Sequence, residues 1–144
     1  MSAINLFTAE EQQEIIQAIR SAELETSGEI RVHIELLCPT PDVIERAVQV
    51  FRQLNMDQTA QRNGVLFYLA TDDRKFAVLG DEGIDRVVPK DFWETTKEVM
   101  RENFRNGRFT TGFCLGIERA GQQLRQYFPR LDDDTNELSD EISH

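Results

Sequence analysis

The segment GVLFYLATDDRKFAVLG, residues 64–80, constrains the fold more than any other stretch of the chain. Its two apolar runs, 64–70 and 75–80, have strand length and are separated by only four residues. Parallel strands need a crossover of a dozen or more residues, so this short link forces an antiparallel hairpin. The first run is apolar at every position, as a central strand covered by helices on both faces must be.

Upstream, EIRVHIEL at 29–36 alternates strictly: Ile30, Val32, Ile34 and Leu36 face one way, and Glu29, Arg31, His33 and Glu35 the other. Period two predicts a strand with one wet face. Between it and residue 64, Pro41 sits near a helix start, and Val43, Ile44, Ala47, Val48, Phe51 and Leu54 follow at helical spacing. A strand that reaches its neighbour through a helix pairs with it in parallel, by a right-handed crossover. The sheet is therefore predicted to be mixed.

Helices complete the layers. Thr8, with Glu11 three residues on, forms a capping-box signature ahead of Ile15, Ile16, Ile19 and Ala22, and Gly28 is the expected left-handed stop. A helix over 90–105 offers Trp93, Val99, Met100 and Phe104 to the core and ends at Gly107. A last helix over 110–128 carries Phe113, Ile117, Leu124 and Phe128. Gly112, Gly116 and Gly121 lie inside it, and small residues four apart imply close backbone packing.

The chain has 144 residues, 40% hydrophobic and 29% charged, which fits one globular domain, residues 1–129. Its net charge of −10 excludes nucleic acid, whose phosphates need clustered Lys and Arg, and disfavours anionic membranes. Divalent cations or a basic partner segment fit this balance. Six Asp and Glu fall in residues 130–144 against Arg130 alone, so that segment reads as an acidic, disordered tail. Without a secretory leader or an apolar stretch of spanning length, the chain is expected to be a cytoplasmic monomer with no membrane insertion. Cys38 and Cys114 read as reduced structural thiols.

Catalytic signatures are sparse. His33 and His144 are the only histidines, and there is no nucleophile elbow, phosphate-binding glycine loop or zinc spacing. His33 reads as a surface or interface histidine with neighbouring carboxylates. Asp132, Asp134 and Asn136 imitate the first positions of a calcium loop, but Glu137 replaces the turn glycine and Ser143 the bidentate glutamate. Two acidic clusters remain, Asp72 with Asp73 in the hairpin and Asp81, Glu82 and Asp85 in GDEGID. Crowded carboxylates suit a hard cation such as Ca²⁺ or Mg²⁺. Aspartates that cap turns or pair with Arg74 or Lys75 explain the same residues without an ion. The hairpin lies at the carboxyl end of the two parallel strands, where open α/β sheets bind ligands. Glu29 lies near the opposite end, with residues 80–85.

TSGEIRVHIE, NGVLFYLATDDRKFAVLG and FRNGRFTTGFCLGIERAGQQL, in this order over residues 8–128, resemble the successive signatures of the TPM domain family. The family is named for a thylakoid protein, a photosystem II repair protein and a receptor modulator. The resemblance implies a Rossmann-like αβα sandwich and divalent-cation binding by acidic loop residues. Asp72, Asp73 and Arg74 match the family's Asp-Asp-Arg motif, and Glu29 its acidic residue after a Thr-Gly step; GDEGIDRVV is more acidic than the usual pattern. The chain thus reads as a free-standing version: a Ca²⁺- or Mg²⁺-binding interaction or regulatory module with an unknown protein partner and no established catalysis. The candidate ligands are Asp72, Asp73, Asp81, Glu82, Asp85 and Glu29. The alternative is a metal-assisted acid phosphatase acting on phosphomonoesters, with Arg74 on the transferred charge.

Overall fold

A computed structural model describes residues 3–130 and 137–144. Three strands, β1 (Glu29–Glu35), β2 (Gly64–Ala70) and β3 (Lys75–Gly80), form one open sheet in the order β1-β2-β3. β1 and β2 pair in parallel from Glu29↔Gly64 to Glu35↔Ala70. β2 and β3 pair antiparallel from Val65↔Gly80 to Ala70↔Lys75, which leaves residues 71–74 as the hairpin loop. The mixed sheet expected from the connection lengths is the sheet observed.

Helices cover both faces. On one side α1 (Ala9–Glu23), α4 (Glu94–Arg105) and α5 (Phe109–Leu124) bury Ile15, Ile19, Met100, Phe113 and Ile117 against Ile30, Val32, Ile34, Val65, Phe67 and Leu69. On the other, α2 (Val43–Gln53) sets Ala47, Val50 and Phe51 on Leu66, Tyr68, Ala70 and Ala77. Every residue of β2 is buried, because it alone has neighbours on both edges and both faces. Among the described residues no helix is long and apolar enough to cross a membrane.

The caps follow side-chain chemistry. Thr8 and Glu11 satisfy each other's backbone amides at 3.1 and 2.9 Å, completing the capping box at α1. Asp42 caps α2 by accepting from Ile44 N at 2.9 Å. In α5 the glycines are contact points: a Cβ on Gly116 would lie 2.7 Å from Met100, and one on Gly121 2.8 Å from the Cβ of Ala22. These clashes show how closely α5 packs on α4 and α1.

Several expectations are corrected. α1 ends with Leu24 as C-cap, so Gly28 is not its left-handed stop; Gly28 N instead donates to Thr26 Oγ1 at 3.1 Å. α4 begins at Glu94 rather than 90, and α5 closes at Leu124 rather than 128. A short helix α3 (Glu82–Asp85), capped by Asp81, lies where an acidic loop was expected. The second face of β1 is not wet: Glu29 and His33 are 4% and 8% exposed. His33 stacks on Tyr68, ring centroids 5.9 Å apart, and its Nδ1 meets Ser143 Oγ at 2.9 Å.

Of the acidic tail, residues 131–136, and with them the start of the calcium-loop imitation, lie outside the described residues. Residues 137–144 run beside the free edge of β1. Ser143 N donates to Val32 O at 2.8 Å and Ile34 N to Ser143 O at 2.9 Å, while Ile142 packs on the larger core.

Candidate functional site

The hairpin is the first acidic place. Thr71 N and Asp72 N donate to Glu35 O and Leu36 O at 2.9 and 2.8 Å, extending the β1–β2 ladder past the end of the sheet. Asp73 Oδ2 accepts from Cys38 N at 2.6 Å, and Lys75 Nζ donates to Pro41 O at 3.2 Å. Both bonds tie the loop to the connection between β1 and α2. Arg74 takes a left-handed φ of 54° at the last position of the loop, immediately before β3. Asp72 and Asp73 are exposed, and among the described residues neither forms an ion pair.

The second acidic place is spent on the chain's own cations. Arg62 grips Asp81 with two bonds, Nε to Oδ2 at 2.7 Å and Nη2 to Oδ1 at 2.9 Å, and reaches Glu82 Oε1 at 3.1 Å. Arg86 adds a second guanidinium on Glu82 at 3.2 Å. Asp81 also caps α3 by accepting from Glu82 N at 2.8 Å. A bidentate guanidinium fork satisfies a carboxylate as a cation would. Asp85 is exposed at the end of α3.

Glu29 stands at the start of β1, at the same end of the sheet as Asp81, whose N donates to Gly64 O at 2.9 Å. Its Oε1 accepts from Glu137 N and, at 2.8 Å, from Leu138 N, while Oε2 is buried and has no hydrogen-bond partner among the described residues. Burial raises its carboxyl above the usual range against the lowering effect of those amides. Seven-residue strands separate this end from the hairpin by roughly 20 Å, so the structure does not bring the six candidate carboxylates together. Among the described residues no three His, Cys, Asp or Glu side chains converge as a metal site.

Sequence reasoning misses a polar cluster at the carboxyl end of β1. Arg46 on α2 donates twice to Glu35, at 2.8 Å from both Nε and Nη2, and the Tyr68 hydroxyl donates to the same carboxylate. Burial pushes Glu35 up, but the bonds from Arg46 and Tyr68 outweigh it and hold the carboxyl at about 2. In the unfolded chain it titrates near 4.5. The stabilisation, up to about 3 kcal/mol, is therefore complete above that value and lost as pH falls toward 2. Glu35→Gln should lower the urea midpoint at pH 7, and lower it by about half as much or less at pH 3.

A shallow groove of about 960 Å³ runs between α1 and α5. Ala18, Ala22 and Cys114 form its floor, Glu10, Glu14, Glu25 and Glu118 its rim, and among the described residues no Lys or Arg lines it.

A family model for the TPM domain matches residues 2–123. The chain belongs to the TPM domain family. Among solved structures, the BA42 protein from the psychrophilic bacterium Bizionia argentinensis is 49% identical, with a TM-score of 0.90 over 95% of this chain and 94% of that one. The N-terminal domain of cg2496 protein from Corynebacterium glutamicum shares the fold at 12% identity, with a TM-score of 0.65 over 97% and 86% of the two chains. No curated protein matches the chain. The TPM assignment spans all three strands, the hairpin, Glu29 and most of α5.

Proposed function

We propose that this TPM domain is a non-catalytic interaction module that takes a divalent cation at Asp72 and Asp73 and receives a basic partner segment in the groove between α1 and α5. One observation carries the choice of cation site. Among the described residues the hairpin carboxylates are exposed and without ion pairs at the carboxyl end of the parallel strands, whereas Asp81 and Glu82 are already neutralised by Arg62 and Arg86. Two carboxylates suit Mg²⁺, which keeps several waters and needs only one or two protein ligands. Ca²⁺ would draw further on peptide carbonyls and water, since no third side-chain carboxylate converges there among the described residues. The acidic rim of the groove supports a cationic partner by charge complementarity.

Calorimetric titration of Mg²⁺ and Ca²⁺ tests the cation. Submillimolar binding is expected, lost in the Asp72→Asn/Asp73→Asn double variant and kept in Asp81→Asn. Binding that survives the double variant, or that disappears with Asp81→Asn alone, places the ion elsewhere and overturns the reading. Metal-assisted phosphomonoester hydrolysis is the second reading, favoured by Arg74 standing next to Asp73. Turnover of p-nitrophenyl phosphate that is lost in Asp72→Asn would favour it over the first.

A further inference from the structure

The hairpin has a second side. Toward α4 and α5, the ends of β2 and β3 and the turn between the two helices enclose a cleft of about 290 Å³. Its floor is apolar and aromatic: Leu69, Phe76, Phe104 and Phe109. Phe76 and Phe104 meet edge to face with centroids 5.2 Å apart, and Phe109 lies 5.8 Å from Phe104. The rim is Arg74, Arg101 and Arg105, and among the described residues no Asp or Glu lines the cleft.

Three guanidiniums around one small cleft are notable in a chain of net charge −10. They repel one another, and the protein does little to offset this. Among the described residues Arg74 and Arg101 form no ion pair, and Arg105 has only Glu102, at 3.9 Å between two largely exposed side chains. Local geometry nevertheless sets the rim and floor beside one another. Arg74 sits in a left-handed turn, Arg101 Cζ lies 5.8 Å from the centre of the Phe76 ring, and Gly107, at φ 75°, turns the chain so that Phe109 comes beside Phe104. That turn is closed by Gly107 N donating to Phe104 O at 3.0 Å and Arg108 N to Asn103 O at 2.9 Å.

We infer that this cleft binds a small organic anion: one aromatic ring carrying a carboxylate or a phosphate. The ring fits an aromatic floor, where offset and edge contacts are favourable, and the oxyanion meets guanidinium forks that match it in geometry and charge. A cavity near the lower limit of ligand pockets restricts the body of the ligand to about one ring. The inference is independent of the cation at Asp72 and Asp73, because none of the three arginines needs that ion in order to bind an oxyanion.

The test is a titration of the full chain, with a chelator present, followed by ¹⁵N amide shifts. The probes are benzoate, phenyl phosphate, inorganic phosphate and benzyl alcohol. Benzoate and phenyl phosphate should shift the amides of Arg74, Arg101, Arg105 and Gly107 saturably, with weaker binding as salt rises. Benzyl alcohol and inorganic phosphate should each bind at least about tenfold more weakly than the probe they mimic. The better of the two ring-bearing anions identifies the source as a carboxylate or a phosphate ester. Arg101→Ala/Arg105→Ala should lose about tenfold or more in affinity, with partial rescue by the double Lys variant. Since both side chains are exposed, loss of fold is not expected, and the spectrum of the variant verifies this directly. Equal binding of benzyl alcohol and benzoate, equal binding of inorganic and phenyl phosphate, or undiminished binding in the double Ala variant would overturn the inference.

Discussion

Replacing Glu23 with Gln is expected to raise the melting temperature by about 6 °C at pH 7.5 and by much less at pH 5. Glu23 closes α1 and is only 6% exposed; its Oε2 accepts from Ile30 N at 3.0 Å, at the start of β1. Burial, then a hydrogen bond shared with Asp140, then the charges of Asp140 and Glu29 push its carboxyl up from 4.5 to about 9. Between those two values the folded protein holds a proton that the unfolded chain has released. This carboxyl's contribution is thus fully present below 4.5 and declines as pH rises toward 9. At pH 7.5 the deficit is about 4 kcal/mol by linkage. A glutamine keeps the acceptor for Ile30 N and donates permanently toward Asp140. Its own burial cancels part of the gain, leaving about 2 kcal/mol, or about 6 °C for a domain of this size. Thermal melts of both proteins at pH 5 and 7.5 decide the matter. A difference that does not widen with pH would mean that Glu23 carries no proton in the folded state at neutral pH.

The features legible in the sequence are those that local geometry controls. A four-residue link fixes an antiparallel pair, a helical crossover fixes a parallel one, and Thr8 with Glu11 announces the start of α1. The hairpin aspartates lie at the end of the sheet that this topology implies. The misreadings share one cause, which is a partner distant in sequence. Strict alternation in β1 correctly separates its two faces, but it does not reveal that Arg46, Tyr68 and Ser143 cover the polar one. Likewise GDEGID reads as uncompensated acid until Arg62, 19 residues before Asp81 and held at a left-handed φ of 51°, is seen to grip it. Alternation and charge count describe a surface before anything is placed on it. The arginine cleft is hidden for the same reason, since Arg74 comes from the hairpin and Arg101 and Arg105 from α4.

Gly83→Ala should cost about 3 kcal/mol, the upper end for adding a single methyl to a filled site. An alanine Cβ there would lie 2.3 Å from Gln61 O and 2.5 Å from Arg62 O. Both obstacles are backbone atoms, so no side-chain rotation relieves them. Nor can the segments part cheaply, because Gly83 N donates to Arg62 O at 2.9 Å and the Arg62 side chain is bound to Asp81 and Glu82 on the same short helix. Gly107→Ala supplies the comparison. Nothing lies within 4 Å of its Cβ, so only its φ of +75° resists the change, at a cost of about 1 kcal/mol. Urea midpoints of the two variants therefore separate steric from conformational cost, and a Gly83→Ala variant no less stable than Gly107→Ala would show that the 61–62 turn yields freely. Magnesium titration of the folded Gly83→Ala protein adds a second measurement. Its clash lies at the Asp81 end of the sheet, so ion binding at Asp72 and Asp73 should persist, whereas an ion held by Asp81 and Glu82 would be lost together with their geometry.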